Sequence, residues 1–127
     1  MKSYTSLEQS RKLAGILPLE SADMLFQLGE DKYADSIRVP LTKKHWEQMM
    51  PDINPCWSLA ALLSVLPKKC YPVKDHETNL ILGKPKDKWC ALYWDVTGMQ
   101  HGEETLADNP VDACYEMILK LHEFKML

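Results

Sequence analysis

No apolar stretch in this sequence approaches the about 20 residues that a membrane-spanning helix needs. The sequence also lacks a C-x-x-C motif, internal repeats and low-complexity tracts, and its polar N-terminus lacks the apolar segment of an export signal. Excess positive charge is absent as well, because the formal net charge is −3, which argues against general electrostatic binding to nucleic acid. These absences predict a cytoplasmic protein with no membrane partner, whose four cysteines are reduced thiols.

The composition is that of an ordinary globular protein. Hydrophobic residues make up 46% of the 127 residues and charged residues 26%, and a chain of this length can bury a substantial core. We therefore expect a single domain over residues 1–127, with residues 1–5 only loosely ordered. Nothing in the composition calls for a cofactor, and none is expected.

The most apolar run of the sequence, Asn54–Pro67, predicts a central helix. Either Ser58 or Asn54 can cap its start, and Pro67 ends it, because the residue before a proline avoids helical backbone angles. Four leucines recur at the spacing of one helical face: Leu59, Leu62, Leu63 and Leu66. Such an apolar face must be buried, so this helix is expected at the centre of the core.

The N-terminal half is predicted to be mainly helical. Ser6 and Gln9 fit a capping box for a first helix, and Ser21–Phe26 predicts a second, shorter one. Further on, Ser36–Val39 predicts a short edge strand, and Thr42 can cap one or two helical turns.

After the central helix the apolar period changes to two, which is typical of strands. Asn79–Leu82 and Trp89–Val96 predict a β-hairpin, and residues 97–105 predict a weakly marked third strand. Asn109 then caps a C-terminal helix. The fold class is therefore α+β, with a helical N-terminal half, a small antiparallel sheet of two or three strands and a C-terminal helix packed on that sheet.

Three stretches in this order resemble a group of small proteins from intestinal bacteria and their prophages. They are Ser21–Met24, Pro55–Leu63 with its closing Pro67, and Asn109–Ile118. The resemblance covers most of the chain and implies a bacterial or phage origin and a cytoplasmic location. It carries no known activity and therefore transfers no catalytic residue.

The first chemical hypothesis is a cysteine-dependent hydrolase. A thiol at a helix N-terminus meets free backbone N–H groups, which lower its pKa, and Cys56 is predicted to lie there. His76 or His101 would then act as the base, with Asn54 or Asp95 orienting it. The alternative is that Cys56 is a small buried apolar residue, and that alternative is favoured because no spacing signature supports catalysis.

Two further hypotheses concern a metal ion and nucleic acid. Cys70, His76 and His101 can supply three ligands, but they lack the close pairing of zinc sites, so no metal is predicted. Three lysines in the hairpin turn can hold a nucleic-acid backbone while a base stacks on the neighbouring tryptophan, Trp89. A solvated turn is the more common explanation for Lys84, Lys86 and Lys88.

The preferred function is non-enzymatic. Trp89, Ala91 and Tyr93 share one face of the predicted hairpin. If the helices cover only the opposite face, Trp89 and Tyr93 form an exposed aromatic patch, which is typical of a protein interface. We therefore predict an interaction module of phage or mobile-element type whose partner is another protein or a second copy, bound through this sheet face.

Overall fold

The structure is a computed structural model that describes residues 2–27, 53–73, 76–95 and 100–127. The chain forms two compact units, Ser3–Leu62 and Met1–Lys2 with Leu63–Leu127. Two compact units can belong to one domain or to two, so the single domain over residues 1–127 stays a prediction. The predicted α+β class is confirmed by helices and antiparallel sheets in the described residues.

The unit Ser3–Leu62 begins with the predicted helix. Ser6 accepts a hydrogen bond from the Gln9 backbone N–H at 3.1 Å, and the Gln9 side chain accepts one from the Ser6 backbone N–H at 3.0 Å, which completes the capping box. The elements in chain order are helix α1 (Leu7–Ala14), a 3₁₀ turn (Leu19–Ser21), strand β1 (Met24–Gln27), strand β2 (Ile53–Cys56) and helix α2 (Leu59–Val65), which extends beyond Leu62.

The prediction of a second helix over Ser21–Phe26 is wrong. Its second half is strand β1, which pairs antiparallel with β2 so that Met24 lies opposite Cys56 and Gln27 opposite Ile53. A short apolar run fits a helix and a strand equally well, and the partner strand decides between them by hydrogen bonding its backbone.

Residues 1–5, which were expected to be loosely ordered, are described from Lys2 onwards and make backbone contacts. Tyr4 forms an antiparallel bridge with Ser58, and the Thr5 N–H donates to the carbonyl of Trp57 at 2.9 Å. Thr5 is fully buried. Backbone groups of this segment therefore pair with the chain that leads into α2.

The larger unit contains a four-stranded antiparallel sheet in the order β3-β4-β5-β6. Two or three strands were predicted, and the additional strand is β3. The sequence pattern does not reveal β3, because Pro72 lies inside the strand. Proline is tolerated there because β3 is an edge strand. The elements are β3 (Lys69–Val73), β4 (His76–Gly83), β5 (Trp89–Asp95), β6 (Gln100–Ala107) and helix α3 (Pro110–Glu123).

Helix α3 packs on this sheet as predicted, against β5 and β6. Asn109 caps it by accepting a hydrogen bond from the Asp112 backbone N–H at 2.8 Å. The Thr105 hydroxyl of β6 donates to the carbonyl of Ala113 at 2.7 Å and ties the helix to the strand. The predicted apolar face is fully buried throughout: Val111, Cys114, Met117, Ile118 and Leu121.

Two predicted elements, the edge strand Ser36–Val39 and the turns after Thr42, lie outside the described residues. Among the helices that the structure describes, none combines the length and the apolar character needed to cross a membrane.

Candidate protein-interaction surface

The two faces of the four-stranded sheet differ in what covers them. Ala91 and Tyr93 of β5 are fully buried, and their face carries Thr105, which bonds helix α3. The Tyr93 hydroxyl donates to the carbonyl of Pro67 at 2.6 Å. Helix α3 therefore covers the Trp89–Tyr93 face. The prediction of an exposed aromatic patch is wrong, because Tyr93 is buried and Trp89 is half-buried.

Small side chains explain why the helix takes this face. Ala91 lies directly opposite Thr105 in the β5–β6 register, and neither side chain is large enough to hold a helix away from the sheet. The helix contributes a small residue in return, Ala113, which is also fully buried. This pairing of small residues was the signal in the sequence that could have identified the covered face.

The opposite face, called the open face below, carries exposed apolar residues, although Cys90 on it is buried. Side chains alternate along each strand, so the register places on it six residues of three neighbouring strands. Ile81 is 43% exposed and Leu106 58% exposed, although both are large apolar residues. The open face consists of Ile81 and Gly83 of β4, Cys90 and Leu92 of β5, and Glu104 and Leu106 of β6.

A half-open hollow of about 360 Å³ lies on the open face and continues to the β4–β5 turn. It is called the Ile81 depression and is lined by Ile81, Gly83, Lys84, Pro85, Cys90 and Leu92. Gly83 leaves part of it empty, because a Cβ atom added there would meet nothing within 4 Å. Sequence reasoning missed Ile81, Gly83 and Leu106 because it assigned the exposed surface to the other face.

The predicted lysine cluster lies at the β4–β5 turn, beside this depression. Lys84 and Lys86 are exposed, and Lys84 takes part in lining the hollow. Lys88 forms an ion pair with Asp108, and the Asp108 side chain remains 82% exposed. Acidic groups therefore lie among the lysines, Asp87 in the turn itself and Asp108 after β6. Nucleic-acid binding by Lys84, Lys86 and Lys88 stays a prediction.

Cys56 does not lie at a helix N-terminus. It ends strand β2, and helix α2 begins three residues later, at Leu59, with Ser58 accepting a hydrogen bond from the Ala61 N–H at 3.2 Å. The other predicted cap, Asn54, lies in β2. The Cys56 side chain is fully buried and packs with Met24.

The environment of Cys56 keeps the thiol protonated. Burial raises the pKa of Cys56 to about 11, although hydrogen bonds with the hydroxyls of Thr5 and Ser10 act in the opposite direction. Its sulfur lies 3.5 Å from the Thr5 carbonyl oxygen, to which the thiol donates. A buried, protonated thiol differs from the thiolate that a nucleophile requires, so this environment favours the alternative that Cys56 is a small buried apolar residue.

Polar side chains near Cys56 support the start of α2 rather than a reaction. The Asp23 carboxylate accepts hydrogen bonds from the Ser58 backbone N–H at 2.9 Å and from its hydroxyl at 2.5 Å. The indole N–H of the fully buried Trp57 donates to the Ser21 hydroxyl at 2.9 Å. These bonds hold Trp57 and Ser58 at the junction between strand and helix.

The two predicted catalytic histidines lie in the four-stranded sheet. His76 begins β4 opposite Val73, and His101 in β6 lies opposite Trp94. Their side chains, and that of the third metal-ligand candidate, Cys70, lie outside the described residues. Among the side chains that are described, no three His, Cys, Asp or Glu residues come close enough together to hold a metal ion.

We predict that Cys56 resists alkylation in the folded protein. With a pKa of about 11, about one thiol in a thousand is ionised at pH 8, and the side chain is inaccessible. Mass spectrometry after iodoacetamide treatment should show Cys56 as slow as Cys114, a fully buried thiol whose pKa burial also raises to about 11. Both should react quickly in urea. Fast labelling of Cys56 alone in native protein would contradict this assignment.

The raised pKa of Cys56 also predicts the direction in which stability changes with pH. The folded-state pKa of Cys56 lies above the roughly 8.5 of an unfolded thiol. The unfolded chain therefore loses this proton first, and the contribution of Cys56 to stability falls as the pH rises from about 9 to about 11.

Comparison of the chain with models of known protein families, with curated proteins and with solved structures found no match.

Proposed function

We propose that this chain is a small non-enzymatic interaction module, of the phage or mobile-element type that the resemblance implies, which binds a protein partner through the open face. The partner would insert an apolar side chain into the Ile81 depression and place an acidic group near Lys84. The observation that carries the proposal is that the exposed Ile81 and Leu106 share one face of the sheet with an apolar hollow.

Three properties of the surface support an interface. Large exposed apolar side chains on one face are typical of binding surfaces, because water leaves them favourably when a partner covers them. The strands that carry them are held in register by the sheet, so little order is lost on binding. Lys84, for which the described residues show no ion pair, supplies a charge at the rim that can select an acidic partner.

The test is site-specific photocrosslinking followed by reconstitution. A photoreactive amino acid replaces Leu106 in one variant and Phe124 in another, since Phe124 is a comparably exposed apolar residue on a different element, 52% exposed after α3. A partner captured from position 106 is identified, purified and titrated against the protein. We expect Leu106→Glu to weaken this binding by about tenfold or more, because it removes a leucine that the partner would bury, while Phe124→Glu leaves it unchanged. Equal crosslinking at both positions, or full binding to Leu106→Glu, would refute the proposal.

A further inference from the structure

The open face carries an apolar projection and an apolar hollow in the same row of residues. The register places Gly83 opposite Cys90, and Cys90 opposite Leu106. Leu106 projects into solvent at one end of the row, while Gly83 leaves the Ile81 depression partly empty at the other. The two ends are two strand spacings apart, about 10 Å.

We infer that the occupant of the open face is a second copy of this chain, bound about a two-fold axis that passes near Cys90; this rests on the proposed function and specifies its partner. A two-fold axis exchanges the ends of the row, so that Leu106 of each copy enters the Ile81 depression of the other. A two-fold interface uses the same patch on both subunits, which requires a patch complementary to itself. The row Gly83–Cys90–Leu106 meets that requirement because it contains both the projection and the hollow.

The same two-fold rotation also brings opposite charges of the two copies together at each end of the row. Strands β4 and β6 run in the same direction, because both are antiparallel to β5. Lys84, which follows Gly83, is therefore brought towards the partner's Asp108, which lies two residues after Leu106. Asp108 remains largely exposed despite its ion pair with Lys88, so it can accept this second cation. Glu104 is exposed on the same face, and its carboxylate accepts a hydrogen bond from the Cys90 thiol at 3.7 Å.

The experiment exchanges the projection and the hollow. Wild-type protein is measured by sedimentation equilibrium from about 10 µM to 1 mM, a range suited to an interface of less than standard size. We expect the mean mass to rise towards that of a dimer. Leu106→Ala removes the projection and Gly83→Leu fills the hollow, and each should weaken self-association by about tenfold or more. The Gly83→Leu/Leu106→Ala double variant moves the projection to the other end of the row and should recover most of the wild-type association.

Controls separate failure of this inference from failure of the proposed function. Circular dichroism checks that each variant folds, and Gly83 tolerates a side chain because the space is open and its φ angle lies outside the left-handed region. Phe124→Ala should associate like wild type. A strictly monomeric wild type, a Gly83→Leu variant that still associates, or a double variant that does not recover would each overturn the second copy as the occupant. If a different protein captured at position 106 then binds with the predicted dependence on Leu106, the proposed function stands without the dimer.

Discussion

Replacing Trp57 with alanine is expected to lower the free energy of unfolding by about 3–5 kcal/mol. The Trp57 side chain is the largest of those that are fully buried, and its removal leaves a cavity at the junction of β2 and α2. It also removes the hydrogen bond to Ser21. Urea unfolding followed by circular dichroism measures the change without depending on the fluorescence of the deleted ring.

Two companion variants separate packing from hydrogen bonding at this site. Trp57→Phe keeps an aromatic ring but loses the indole N–H, and Ser21→Ala removes the acceptor. Since removing one partner of a buried hydrogen bond costs about 1–3 kcal/mol, each should cost less than Trp57→Ala. A loss below about 1 kcal/mol for Trp57→Ala would be inconsistent with a close-packed core at this position.

Leu121→Ala in helix α3 is expected to cost about 2–5 kcal/mol. Leu121 is fully buried in the helix that covers the four-stranded sheet. The same helix offers a matched control, because Leu119 undergoes the same chemical change from a half-buried position. Leu119→Ala should cost roughly 1 kcal/mol, since less apolar surface and cavity volume are involved. Similar losses for the two variants in urea unfolding would contradict the orientation of α3.

The parts of the fold that the sequence predicted best are those with local causes. The cap of α1 uses the side chains of Ser6 and Gln9, three residues apart, and the cap of α3 uses Asn109 and Asp112, also three apart. The buried face of α3 follows from the helical period alone. In each case the interacting groups are neighbours along the chain, so the local pattern contains the whole cause.

The predictions that were wrong concern features caused by contacts between residues far apart in the chain. Residues 24–27 form a strand because residues 53–56 pair with them, and no local pattern contains that partner. Cys56 was placed in a helix because the apolar run begins near it, yet Asp23 and Ser58 begin the helix three residues further on. The thiol that a helix end would have activated is instead a buried group with a raised pKa.

The candidate interaction surface also depends partly on local and partly on long-range causes. Alternation in β5 predicted two faces and assigned Cys90 and Leu92 to one and Ala91 and Tyr93 to the other, as the register confirms. Which face meets solvent depends on where helix α3 docks, and the exposed face proved to be the one that carries Leu92 rather than Tyr93. The correct assignment required the position of helix α3 on the sheet, where Thr105 of β6 donates a hydrogen bond to the carbonyl of Ala113, a contact between separate elements.

The sequence by itself determined the α+β class, the capped helices α1 and α3, and the alternation of the hairpin strands, because side chains a few residues apart cause each of these. Only the tertiary structure decided the pairing of β1 with β2, the burial of Cys56, and the side of the sheet on which an apolar hollow and an exposed leucine lie together. These depend on contacts between residues far apart in the chain, where several arrangements satisfy the same local pattern and close packing selects one of them.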